Sequence, residues 1–427
     1  MLEIAWSYSK TGDALQRCDV SLVFLFYFGL FLNFVIKLEQ KFAIKLIIGD
    51  DMKKIKILHS ADIHFDTPFS GMTPKEALKS KEELKQVFEN IIKMILEKEI
   101  DIFLIAGDIF DNLSVNKTTL YFIKNCFQNI SKVKIFVSPG NHDPFNEKSF
   151  YNIVDWPTNV HIFKGHMKSV ILEDLNTIVW GAGFDTSHVN KSLLKDVKRV
   201  DGYNNIMVLH GEITTTKEGN DYNPITEEDI ARSNMDYIAL GHRHKFSEVK
   251  KIENTYYSYS GCPQGRGFDE LEDKGIVLIE LKDKFVESKF IRTSIRNYYE
   301  KEINIQGCFG YGEVKNKIIN EIPMLDRKNN FYKIILKGEV SSEFTLNEEF
   351  LQELLKDEFH FVKVIDRSEI KLDINKLIEG YSLKSIFAKK IYERLQNAET
   401  EEEKEIITLA LKIGLQSISG EEVKIYE

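Results

Sequence analysis

From residue 55 onward, short apolar runs alternate with longer segments whose apolar positions recur every three or four residues. The first rhythm suits buried strands and the second amphipathic helices, so the alternation predicts an α/β layered fold. "KIKILHSAD" (54–62), "DIFLIAGD" (101–108) and "KIFVSPGNHD" (134–143) read as strands. Between them, Leu78, Leu84, Val87, Phe88, Ile91, Ile92 and Ile95 fall on one face of a helix predicted over 75–97, and 117–127 reads as a second helix. "IMVLHGE" (206–212) and "DYIALGHRH" (236–244) are further strands that, like the first three, end in polar residues. In open α/β sheets ligands bind where loops leave the strand ends, so these five tips are the place to look for chemistry.

Near Asn297 the rhythm changes. "YYEKEINI", a helical stretch at 313–321, "NFYKIILKGE", another at 345–356 and "FHFVKVID" predict a small β-α-β-α-β unit over 297–376. Two helices are expected at 383–397 and 401–417, separated by "NAETEEEKE", a solvated helix start with Thr400 as its cap. One amphipathic face of this tail carries Leu377, Ile378, Leu383, Ile386, Phe387, Ile391 and Leu395. The expected organisation is therefore 52–296, 297–376 and 377–427, preceded by residues 1–51 of different character.

That leading segment contains an apolar run at 20–36, shorter than the roughly 20 residues that span a bilayer. It reads either as a signal anchor or as upstream sequence before a true start at Met52; only the anchor reading would bring a membrane partner. The formal net charge of −9 across 427 residues argues against coating nucleic acid by bulk electrostatics and leaves room for a local basic groove. Cys18, Cys126, Cys262 and Cys308 form no CxxC pair and fit reduced thiols in a cytoplasmic protein.

The strand tips supply "ADIHF" (Asp62, His64), "AGDIFD" (Asp108, Asp111), "PGNHD" (Asn141, His142), "LHGE" (His210) and "GHRH" (His242, His244). Mixed carboxylates and imidazoles suit Mn²⁺, Fe²⁺ or Zn²⁺, whereas an all-oxygen set would favour Mg²⁺ or Ca²⁺. If D-x-H and H-x-H continue their strands, each pair aims two side chains at one point. In this order the pieces resemble the motif series of the calcineurin-like metallophosphoesterases, D-x-H, GD-x-x-D, GNH-D/E, H and GH-x-H. The resemblance implies a four-layer α/β/β/α sandwich and a dinuclear centre. One ion would be held by Asp62, His64, Asp108 and His244, the other by Asp108, Asn141, His210 and His242, with Asp108 shared. His142 would serve the leaving group as acid, and Asp111 would orient His142.

The segment "YSYSGCPQGRGFDELEDKG" resembles a loop of the bacterial DNA-repair exonucleases of the SbcD and YhaO type that closes over the active site. Ser260 and Cys262 depart from that pattern. Arg266 is then expected either to bind a DNA phosphate or to tie down its own loop through Glu270. The resemblance further implies a capping domain at 297–376 that steers DNA, a preference for Mn²⁺, a possible homodimer, and docking of the tail on an SMC-like coiled-coil ATPase of the SbcC or YhaN kind. A DNA exonuclease, with possible endonuclease activity, is the resulting expectation. A phosphodiesterase or phosphatase acting on a small nucleotide or a protein is the alternative, and the acidic net charge leans towards it. A scaffold whose metal site no longer turns over is a third reading, against which the complete ligand set speaks.

Overall fold

The computed structural model describes residues 54–419, apart from 71, 112–114, 196, 217, 342–343, 345 and 372–376. The apolar run at 20–36 and the expected start at Met52 lie outside the described residues. Strands β1 (Ile55–Ser60), β2 (Ile102–Ile105), β3 (Lys134–Val137) and β4 (Val160–Ile162) run parallel in one sheet. A second sheet takes β5 (Lys168–Leu172), β6 (Thr177–Gly181) and β7 (Asn204–His210). After a detached pair, β8 (Glu212–Ile213) and β9 (Pro224–Ile225), it is completed by β10 (Tyr237–Gly241), β11 (Lys250–Ile252) and β12 (Thr255–Tyr259). The chain returns to the first sheet as β13 (Gly275–Lys282) and β14 (Phe285–Arg292), antiparallel beside β1. Each sheet has six strands, in the orders β14-β13-β1-β2-β3-β4 and β11-β12-β10-β7-β6-β5.

Strand alternation explains the layering. Ile55, Ile57, Ile102 and Leu104 of the first sheet pack with Ile206, Val208, Tyr237 and Ala239 of the second in one buried cluster. Their neighbours Leu58, Phe103 and Ile105 face outward onto helices α1 (Pro74–Glu97) and α2 (Lys117–Asn129). Met207, Leu209, Ile238 and Leu240 likewise cover Ile230 of α3 (Glu227–Ser233). The result is the α/β/β/α sandwich, in which the central parallel strands β1, β2, β7 and β10 are buried on both faces. Helix α1 begins where the sequence dictates: Thr73 and Glu76 form a reciprocal capping box, with Pro74 at the first helical position. Its Leu84, Phe88, Ile91 and Ile95 are buried, and burying side chains of this size contributes about 1.5–3 kcal/mol each.

The second unit has its own core. β15 (Tyr298–Asn304), β16 (Phe331–Lys337) and β18 (Phe361–Asp366) form a parallel three-stranded sheet. Ile303, Ile334, Leu336 and Val364 pack there with Val314 and Ile318 of α4 (Tyr311–Glu321) and with Leu351 and Leu355 of α6 (Glu348–Leu355). Two features have no counterpart in the sequence reading, the short helix α5 (Met324–Asn329) and the pair β17 (Glu339–Ser341) and β19 (Glu369–Lys371). α5 is held by buried Arg327, which donates to the carbonyls of Ile319 and Ile322 at 3.2 and 2.8 Å. Helices α7 (Leu383–Gln396) and α8 (Glu401–Ser419) pack through Phe387, Ala388, Leu411 and Leu415, and Thr400 Oγ1 accepts the Glu403 amide at 3.1 Å. Among the described residues no helix is long and apolar enough to cross a membrane.

Candidate metal centre

The five sequence pieces converge at the carboxyl ends of β1, β2, β3, β7 and β10. All but His210, the last residue of β7, do so past the strands. Asp62 and His64 follow the end of β1 and have φ of 52° and 53°; Asp108 has 51° and His242 103°. The pairing of Asp62 and His64 therefore comes from left-handed turns, which replace the continued strand that the D-x-H spacing suggested. Hydrogen bonds from the Asp62 amide to the Gly107 carbonyl (3.0 Å) and from the His64 amide to the Asp108 carbonyl (2.9 Å) lock the two loops together. Such backbone angles cost energy outside glycine and persist where surrounding contacts over-determine them. Two glycines permit the close approach. A Cβ on Gly107 would lie 2.2 Å from His210 Nδ1, and one on Gly140 2.2 Å from Asp108 Oδ1.

Three overlapping groups of side chains could each hold a cation: Asp62, His64 and His244; Asp62, Asp108 and His210; and His64, Asp108 and His142. Within the first, His64 Nε2 and His244 Nε2 are 3.2 Å apart. His64 Nδ1 meets Asp111 Oδ1 at 3.0 Å and His244 Nδ1 meets Glu270 Oε1 at 2.7 Å, so the network assigns both protons to Nδ1. Two Nε2 lone pairs then face each other with no donor between them, an arrangement that a cation satisfies. In the other half, His210 Nδ1 donates to the Ala106 carbonyl at 2.9 Å, leaving Nε2 facing Asn141 Oδ1 at 2.9 Å and Asp108 Oδ2 at 3.4 Å. Asp108 Oδ2 is also 3.7 Å from His64 Nε2 and so borders both halves. His242 is placed by its amide, which donates to both Asp62 oxygens, and its ring stacks on Tyr222 with centroids 4.8 Å apart.

Residues 55–246 match the family model described as calcineurin-like phosphoesterase. Over these residues the chain is similar to that family. The chain is also similar to the uncharacterized metallophosphoesterase YhaO of Bacillus subtilis, 29% identical over 248 residues, which are 56% of this chain and 60% of that one. Its similarity to the DNA double-strand break repair protein Mre11 of Methanocaldococcus jannaschii is 24% over 355 residues, 76% of this chain and 89% of the relative. Among solved structures, purple acid phosphatase PPD1 from yellow lupin seeds aligns with 56% of this chain and 52% of that one, at 14% identity and a TM-score of 0.38.

The structure brings the seven residues expected as ligands into one cluster. Two other expectations gain detail. Asp111 carries its carboxylate on His64, 3.9 Å from His142 Nδ1, and it is the Asp111 backbone carbonyl that meets His142 Nδ1 at 2.8 Å. One short side chain cannot serve both rings, and the main chain takes the second role. Arg266 is the other. Its guanidinium lies on Glu270 and Asp111, at 2.5 and 3.3 Å, so it ties the loop to the centre where a phosphate contact was the competing reading.

Two carboxylates support the centre in ways that sequence reasoning did not assign. Glu270 is 3% exposed. Burial pushes its carboxyl up, but His244 and Arg266 outweigh that and hold it well below the usual range. Asp143 is buried, accepts the amides of Gly140 and Ile109 at 2.8 and 2.7 Å and the Tyr151 hydroxyl at 2.7 Å, and so braces the loop carrying Asn141 and His142. It stands in the "GNHD" piece, whose last position was the available signal. Burial also shapes the imidazoles: it depresses His64, against the pull of Asp111, and together with His210 lowers His242 to about 4, so both rings favour the neutral form that ligates metals. For Asp108, burial acts upward, and the imidazoles of His210, His64 and His142 overcome it.

Proposed function

We propose that the chain is a metal-dependent DNA exonuclease that cleaves phosphodiester bonds through a dinuclear centre, in company with a coiled-coil ATPase. The observation that carries this reading is the loop after β12, which touches both the centre and the second unit. Arg266 grips Glu270 and Asp111, while Phe268, two residues on, packs edge-on against Tyr298 and lies 6.2 Å from the ring of Phe361. Gln264 fastens the same loop to the Arg296 carbonyl at 2.8 Å, and Arg296 pairs with Glu83 of α1. A small ester needs only the centre; a second unit anchored through its bracketing loop supports an extended substrate. The similarity to Mre11 supports the same reading, since a match covering 76% of the chain reaches past residue 297 wherever it begins.

Asp62, His64, Asp108 and His244 would hold one ion and Asp108, Asn141, His210 and His242 the other; Mn²⁺ is the proposed metal, and the donor set accepts Fe²⁺ or Zn²⁺. Ions bound there supply Lewis acidity for the phosphate and lower the pKa of water. His142 is fixed through Nδ1 on the Asp111 carbonyl, which leaves Nε2 to protonate the departing oxygen. Asp108 orients His142 by accepting its amide at 3.0 Å. For the partner, the tail offers Leu383, Ile386, Ile406 and Leu409, apolar side chains exposed on α7 and α8.

The test runs the protein with Mn²⁺ on an end-labelled linear duplex and on bis-p-nitrophenyl phosphate in parallel, with Asp108→Ala as control. Degradation of the duplex by the protein and not by the control is expected. Hydrolysis of the small ester with untouched duplex, persisting after the ATPase is added, would favour the small-substrate phosphodiesterase.

A further inference from the structure

The imidazoles of the two half-sites are backed by different groups. His64 and His244 each rest on a carboxylate, Asp111 and Glu270, and one guanidinium joins those carboxylates. Arg266 Nη2 lies 2.5 Å from Glu270 Oε1, its Nε 3.1 Å from the same oxygen, and its Nη1 3.3 Å from Asp111 Oδ1. Nη2 is also 3.1 Å from His244 Nδ1, but the 2.7 Å contact of that nitrogen with Glu270 assigns its proton to the carboxylate. The bracket is enclosed: the Arg266 side chain is 14% exposed and that of Glu270 3%. His210 Nδ1 instead leans on the Ala106 carbonyl at 2.9 Å, with the Asp62 carboxylate farther off at 3.8 Å.

We infer that Arg266 is a positioning residue that turns His64 and His244 into one preorganised ligand pair, so that only this half of the centre depends on the loop for its metal affinity. The inference rests on the dinuclear reading above. A carboxylate behind a ligating imidazole fixes the ring and raises its basicity. Two such carboxylates near one another repel, and burying them unpaired is costly; a planar cation with donors on two edges reconciles them. A lysine, a single point charge on a flexible stem, cannot reproduce the fork.

Mn²⁺ binding to the full chain by isothermal titration, beside thermal melts of the metal-free proteins, tests this. The unaltered protein is expected to bind two ions. Arg266→Ala is expected to keep one with unchanged affinity and to bind the other about 10- to 100-fold more weakly. Arg266→Lys is expected to show the same loss although it retains the charge. Glu270→Gln preserves the shape of the loop and carries the test should the Ala variant fail to fold; it too is expected to weaken one ion. Two ions held with unchanged affinity in all variants, or equal weakening of both, would overturn the positioning role. Fewer than two ions in the unaltered protein would instead overturn the dinuclear reading beneath it.

Discussion

His64 and His244 rest on carboxylates from two loops, whereas His210 rests on the main chain of β2's exit. The main-chain-backed half is a product of sheet geometry. β7 pairs in register with β10, so that His210 lies opposite Gly241, and the Ala106 carbonyl sits where β2 ends. Any sequence that builds those strands supplies it. The carboxylate-backed half needs Glu270 and Arg266 to arrive from a loop more than 150 residues away from Asp111 in sequence. One half is thus backed by the fold and the other by a loop, and the role proposed for Arg266 predicts that a change in the loop tunes one without unmaking the other.

The largest effect should come from the residue that ignores this division. Asp108 borders both halves, so Asp108→Ala is expected to abolish the binding of both ions and to reduce hydrolysis on the order of 10³-fold or more, equivalent to several kcal/mol of lost transition-state stabilisation. Retention of one tightly bound ion would show the halves to be independent. Next comes His142, which serves neither ion in this account. His142→Ala is expected to lower turnover about 10²- to 10⁴-fold while metal content by atomic emission stays unchanged; a fall in metal content would make it a ligand.

An imidazole outside the centre sharpens the contrast, because it rests on a hydroxyl and a carbonyl. His59 is buried between the sheets, with Nδ1 2.8 Å from the Tyr237 hydroxyl and Nε2 3.2 Å from the Leu240 carbonyl. Burial lowers its pKa to about 3. A folded-state value below the unfolded one means that stability is complete above about pH 6.5 and drains away as pH falls towards 3, because only the unfolded chain readily takes up the proton. The loss is about 1.4 kcal/mol per pH unit across that window. Urea midpoints of His59→Gln should be flatter with pH than those of the unaltered protein; parallel curves would remove His59 as the cause. The smallest effect on chemistry is expected from truncation after Gly380. It removes α7 and α8, and hydrolysis of bis-p-nitrophenyl phosphate should persist while co-purification with the ATPase is lost.

The candidate ligands were legible because each ends or follows an apolar strand, and a buried parallel sheet announces its strands as continuous hydrophobic runs. Asp62, Asp108, Asn141, His210 and His242 needed no knowledge of how the loops fold. Glu270 was visible only as a possible anchor for Arg266, because its contact with His244 is made across a loop that no periodicity describes. That Asp111 meets His142 through its carbonyl and His64 through its carboxylate was hidden for the same reason: spacing places a residue near a site without saying which atom faces it. The left-handed backbone at Asp62, His64 and Asp108 was equally hidden, since these residue types carry no glycine-like mark of positive φ. α5 was missed because six residues are too few to show helical periodicity.

The most direct test of the account is electron paramagnetic resonance of the protein titrated with Mn²⁺. Ions sharing Asp108 interact magnetically, so the signal expected after the second equivalent is that of an exchange-coupled pair, and in Asp108→Ala this signal should be absent. A spectrum of isolated Mn²⁺ at every loading in the unaltered protein would contradict a shared dinuclear centre and the phosphodiester chemistry built on it.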